Sequence, residues 1–126
     1  MSDKPDAERL FREGIVEEHR PWGKFRAFPH RMAGGIKIIT VNPGAALSLQ
    51  LHQRRGEYWV ALDSGLEVTV GDRLLKPAPN EEITIPPHTA HRLRNEGSVP
   101  ARLLEIWIGE SEEGDIVRLE DLYGRT

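Results

Sequence analysis

Cysteine is absent from all 126 residues, which excludes disulfides and thiolate metal sites. Any bound metal must then rely on histidine, carboxylate or amide oxygen. Absent cysteine is compatible with any compartment, and a cytoplasmic location is the default expectation. No apolar run approaches the roughly 18 residues of a membrane span, so no membrane partner is expected. There is no basic run, and the formal net charge is −3, which argues against a general nucleic-acid binder. The opening residues, MSDKPDAERLFREG, are charged throughout and cannot serve as a secretory signal. Tandem repeats, low-complexity segments and the βαβ alternation of doubly wound nucleotide-binding folds are also missing.

Turn-forming residues, by contrast, are plentiful, with twelve glycines and nine prolines. They punctuate short alternating or β-branched stretches such as IKIITV (36–41), LEVTV (66–70), HRLRN (91–95) and ARLLEIWI (101–108). Roughly nine to eleven strands with a turn signal every 8–12 residues predict an all-β sandwich or barrel. Ahead of it, residues 6–13 (DAERLFRE) read as a short helix capped by Asp6 and ended by Gly14, or as a charged arm. The expected organisation is an arm or helix over 1–14 and one domain over 15–126.

The stretch GAALSLQLHQRRGE (44–57) concentrates the chemistry. On an extended strand Ser48, Gln50 and His52 leave one face, and Leu47, Leu49 and Leu51 leave the other. Glu57 follows a connection where the chain can turn back, and His91, with Leu93 and Asn95, occupies one face of a later strand. The leucine row needs a cover, from the N-terminal strand or from a second subunit, and the second, a homodimer, is the expectation. Arg54 and Arg55 read as a solvated turn, His19 and His30 as surface residues, and Trp22, Trp59 and Trp107 as barrel packing.

A glycine after a turn (Gly44), Gln50 and His52 two apart, Glu57 five further on, Gly65, then Pro86, His91 and Asn95 resemble the two motifs of the cupin superfamily, double-sheet jelly-roll β-barrels. Glutamine at position 50, where that family usually has histidine, is similar to the phosphomannose isomerases. RPWG (20–23), VNPGAALSLQLHQRRGEYW (41–59) and DIVRLEDLYGR (115–125) look like the C-terminal cupin domain of the type II enzymes. Those enzymes often carry a mannose-1-phosphate guanylyltransferase domain, to which nothing here corresponds, so nucleotidyl transfer is not implied. One departure stands out: His88 occupies a position where the second motif usually has glycine, and its side chain could enter the mouth of the site.

The resemblance implies a divalent metal held by Gln50, His52, Glu57 and His91, with zinc the first choice and cobalt, manganese, iron or magnesium as alternatives. It implies isomerisation of mannose 6-phosphate to fructose 6-phosphate through an enediolate. The metal would polarise the carbonyl of an anionic sugar phosphate. Glu57 and His91 double as candidate catalytic groups, and Glu67, Glu105 and His88 are further candidates for the base. Lys37, Arg55 and Arg125 are the expected substrate contacts, with Arg54 and Arg92 as alternatives. The competing expectation is a non-catalytic metal-binding cupin module that binds a sugar or sugar phosphate; a three-histidine dioxygenase is disfavoured by Gln50.

Overall fold

Leu66–Val70 alternates residue by residue between interior and surface, and most strands of the chain do the same. The computed structural model describes residues 6–30, 34–109, 111–112 and 114–124. Among these, a helix α1 (Ala7–Glu13) precedes the strands. The Asp6 side chain accepts from Glu8 N at 3.0 Å and Gly14 closes the C-terminus, so the helical alternative holds over the arm. The strands are β1 (Val16–Arg20), β2 (Gly23–Ala27), β3 (Ile36–Val41), β4 (Leu49–Leu51), β5 (Gly56–Ala61), β6 (Leu66–Val70), β7 (Arg73–Leu75), β8 (Glu82–Ile85), β9 (His91–Asn95), β10 (Ala101–Ile108) and β11 (Val117–Glu120).

They form two antiparallel sheets, ordered β1-β2-β3-β10-β5-β8 and β11-β4-β9-β6-β7. This is the double-sheet barrel expected of an all-β chain. The inner faces supply one core of Phe25, Ile39, Val41, Trp59, Leu93 and Leu103, among others. Asn95, fully buried, ties the barrel's end together: its Nδ2 donates to the carbonyls of Val41 and Val99, and its Oδ1 accepts from Gly97 N. Gly23 is needed where β1 turns into β2, because at φ +149° a Cβ would lie 2.0 Å from the carbonyl oxygen of Thr40. None of the described helices is long and apolar enough to cross a membrane.

Two expectations about the central stretch are corrected. The ligand-bearing strand is short, Leu49–Leu51, and ahead of it only Ala46 forms an isolated bridge, to Arg94. Outside the regular ladder, Leu47 N donates to the Leu93 carbonyl and the side chain turns into the core, 7% exposed. The row of three outward leucines therefore does not exist; Leu49 and Leu51 remain half-buried. The third finding is β11, which was not expected as a strand and which covers the edge of β4.

Replacing Gly23 by alanine is expected to lower stability by roughly 1–3 kcal/mol, measured by urea unfolding against the parent chain. An unchanged midpoint would show that this turn relaxes freely.

Candidate metal centre

The site assembles where the two inner faces meet. In the six-stranded sheet, β10 lies between β3 and β5, pairing Glu105 with Lys37 on one side and with Trp59 on the other, and Trp107 with Glu57. Strand periodicity points all five side chains inward, and all are buried. The facing sheet contributes His91 from β9, directly across from Gln50 of β4. His52 and Arg55 come from the turn between β4 and β5.

His52, Glu57 and His91 place one ligand atom each within 4.8 Å of one another, and all three are buried. His52 Nε2 is 3.1 Å from Glu57 Oε2, and His91 Nε2 is 3.9 Å from Glu57 Oε1. Both rings are oriented from behind. His52 Nδ1 meets the Asp115 carbonyl at 2.5 Å, and His91 Nδ1 meets the Thr89 carbonyl at 2.9 Å. A carbonyl can only accept, so each Nδ1 carries a proton and each Nε2 is the atom turned toward Glu57, a donor to it when the ring is charged and a free lone pair when the ring is neutral. His91 Nε2 is buried with no hydrogen-bond partner among the described residues. Two inward imidazole lone pairs and a carboxylate, one lone pair unmatched, fit a divalent cation of borderline softness.

Electrostatics support the same arrangement. Burial alone would raise the Glu57 carboxyl, but hydrogen bonds with His52 and Glu105 and the charge of the neighbouring imidazoles hold it well below the usual carboxylate range. Burial lowers His91, with Glu57 opposing, and so favours the neutral ring that a metal requires. Glu105 moves the other way: burial, then the Glu57 charge and their shared hydrogen bond, raise it well above the usual range. Arg55 completes the cluster, with Nε donating to Glu57 Oε2 at 2.7 Å, Nη2 to His52 Nε2 at 3.2 Å, and Cζ 3.5 Å from the Trp107 ring centroid. Arg55 is thus buried, not part of a solvated turn; only Arg54 is exposed. The tryptophans pack as expected, but two are also wired to the site: Trp59 Nε1 donates to Glu57 and Trp107 Nε1 to Glu105. Sequence periodicity could place those indoles inward but could not assign their N–H groups partners.

Beside the cluster lies a cavity of about 120 Å³, far above the ~10–15 Å³ one water needs. Its wall includes Gln50, His52, Lys37, Arg55 and Glu105. Other candidates fall elsewhere. Glu67 faces outward beside Glu96, Arg92 braces the Leu47 carbonyl to Glu120, and His19 and His30 are on the surface. Arg125 lies outside the described residues. His88 is exposed and not on the cavity wall; it adopts φ +61°, the conformation that suits the glycine its motif usually has there. Two wall residues were missed, Arg20 and Arg118. Arg118 sits in an alternating VRLE stretch, the signal that could have found it.

Residues 8–121 match the family described as "Mannose-6-phosphate isomerase C-terminal". Similar curated proteins include the xanthan biosynthesis protein XanB of Xanthomonas campestris pv. campestris, 44% identical over 109 residues covering 86% of this chain and 23% of that protein. The mannose-1-phosphate guanylyltransferase ManC of Salmonella typhimurium is 41% identical over 130 residues, covering 98% of this chain and 27% of that protein. The chain therefore spans about a quarter of the length of such relatives. Among solved structures, the capsular polysaccharide assembling protein CapF of Staphylococcus aureus superimposes with a TM-score of 0.73 at 15% identity, over 84% of this chain and 32% of that one. A cupin-2 domain from Rhodospirillum rubrum does so with a TM-score of 0.67 at 17% identity, over 81% and 78% respectively. These likenesses show the cupin fold.

Two outcomes follow from the geometry. His88→Gly is expected to raise stability by roughly 0.5–1 kcal/mol, relief of left-handed strain exceeding glycine's extra chain entropy, and to leave metal affinity unchanged in a chelator competition. Asp115 accepts from Gln53 N, Arg54 N and Ser111 Oγ, and these bonds lower its carboxyl from 3.8 to about 2. Its contribution is therefore present above the unfolded value and lost as pH falls through the folded one. The gap in melting temperature between the parent chain and Asp115→Asn should be full above pH about 4 and close toward pH 2; a gap independent of pH would refute the ionic origin.

Proposed function

The chain belongs to the mannose-6-phosphate isomerase C-terminal family, and from that membership we propose that it is a metal-dependent isomerase interconverting mannose 6-phosphate and fructose 6-phosphate. The observation that carries the reading is the unmatched Nε2 of buried His91, facing a carboxylate and a second imidazole lone pair. His52, Glu57 and His91 would hold the ion, zinc in the first instance, with the Gln50 amide oxygen as fourth donor from the cavity wall. Bound there, a divalent ion supplies Lewis-acid polarisation of the substrate carbonyl.

The remaining chemistry falls to the chain's own side chains. Aldose–ketose exchange needs a group that removes the proton from C2 and returns it to C1. Of the three earlier candidates, Glu105 alone lines the cavity. Its burial, and then the neighbouring Glu57 charge, raise the carboxyl well above its usual range, which makes its carboxylate a stronger base than an exposed one. Lys37, on the same wall, stands next to it in register and supplies positive charge near the developing enediolate. Arg55 is engaged with Glu57 and His52, so its role is to neutralise and orient those two side chains. That same engagement favours a second reading, a non-catalytic metal-binding module that binds a sugar phosphate, because the guanidinium already balances the buried carboxylate.

A coupled assay with mannose 6-phosphate, run beside metal analysis of the purified protein, separates the two. Turnover with bound divalent metal is expected, abolished together with metal binding in His52→Ala. Glu105→Gln should retain the metal and lose about 10²–10⁴-fold in kcat. Metal without turnover on any hexose phosphate would favour the binding module, and turnover surviving His52→Ala would sink the metal mechanism.

A further inference from the structure

The cavity carries more positive charge than the metal cluster uses. Arg118 of β11 lies directly opposite Gln50 in the β4 ladder, and both side chains reach the cavity wall. The Nε of Arg118 is buried without a hydrogen-bond partner among the described residues. Arg20, at the end of β1, lines the same cavity with its Cζ 5.1 Å from the Phe25 ring centroid, while its Nη2 meets Glu18 at 2.8 Å. Lys37 Nζ lies 4.4 Å from the same ring. Arg55 is tied to Glu57 at 2.7 Å. Among the described residues of the wall, Glu105 is the single acidic group, and it accepts from Trp107 Nε1 at 2.9 Å. Two guanidinium groups on one wall, one with a buried donor left unmatched, are a site for an anion that accepts several hydrogen bonds.

Resting on the isomerase reading, we propose that Arg118, assisted by Arg20, holds the phosphate of the sugar phosphate, a phosphomonoester dianion, in this cavity. The planar guanidinium fork suits two phosphate oxygens at once, which a lysine ammonium cannot match. A bound phosphate oxygen would also give Arg118 Nε the acceptor it lacks. The arrangement divides the cavity by chemistry: His52, Gln50 and Glu105 serve the reacting carbons, while Arg118 and Arg20 serve the phosphate. It also moves the anchoring role expected of Arg55 to residues from β1 and β11, strands at the outer edges of the two sheets.

The test is titration calorimetry of inorganic phosphate into the purified full chain, compared with Arg118→Gln, Arg118→Lys, Arg20→Gln and Arg73→Gln, an exposed arginine on β7 away from the cavity. Phosphate affinity is expected to fall about ten- to hundredfold in Arg118→Gln, the loss typical of a charge-assisted contact. It should fall less in Arg20→Gln, recover in part in Arg118→Lys, and stay unchanged in Arg73→Gln. Melting curves check that each variant folds; should Arg118→Gln fail to fold, Arg118→Lys carries the comparison, with a loss of phosphate affinity expected. Phosphate binding that depends on Arg118 in a protein with no hexose-phosphate turnover supports the anchor and removes the isomerase. Turnover of mannose 6-phosphate with a KM unaltered in Arg118→Gln keeps the isomerase and overturns the anchor. Phosphate affinity equal in the parent chain and a folded Arg118→Gln overturns it as well.

Discussion

Glu57 is a carboxylate removed from water inside a β-barrel, and the polar interior of this protein is arranged around matching it. An unmatched ion there would cost several kcal/mol. Each oxygen therefore takes its own donor: Trp59 Nε1 at 2.8 Å on Oε1 and Arg55 Nε at 2.7 Å on Oε2. His52 and His91 present Nε2 atoms to it, and Glu105 shares a hydrogen bond with it. The consequences spread outward along the strands. Glu105 is raised by its burial and then by the Glu57 charge, Trp107 donates to Glu105, and Arg55 stacks on Trp107. One buried charge thus bears on a second carboxyl, two indoles and a guanidinium.

The C-terminal segment has a structural role and lines the cavity. Asp115 uses its carboxylate to fasten the turn holding Gln53 and Arg54, and its carbonyl to fix the His52 ring. Ser111 and the Glu112 carbonyl accept from Arg55 Nη1, and Ile116 and Arg118 form part of the cavity wall. Residues sixty positions apart in sequence thereby decide the tautomer of one metal ligand candidate and the position of the arginine that balances another. The same segment then forms β11, which gives β4 a pairing partner on its open edge and brings Arg118 in opposite Gln50.

The sequence by itself determined the all-β class and the shared face of His91, Leu93 and Asn95, because these rest on strand periodicity and turn chemistry; it left the segment capped by Asp6 open between helix and arm, and it grouped His52, Glu57 and His91 through the resemblance to a known family. Periodicity also placed Ser48, Gln50 and His52 on one wall. It failed at Leu47, which precedes the regular ladder of β4 and packs its side chain into the core. It failed at Arg55, since a charged residue in a turn is ordinarily solvated and only the cross-strand meeting with Glu57 and Trp107 makes its burial favourable. It had no means of linking Arg118 to Gln50 or Trp107 to Glu105, because alternation fixes which face a side chain takes but not which distant strand lies beside it. That choice of neighbours belongs to the tertiary structure, and it converts a set of ligand-type residues into a buried, charge-balanced site opening on a cationic cavity.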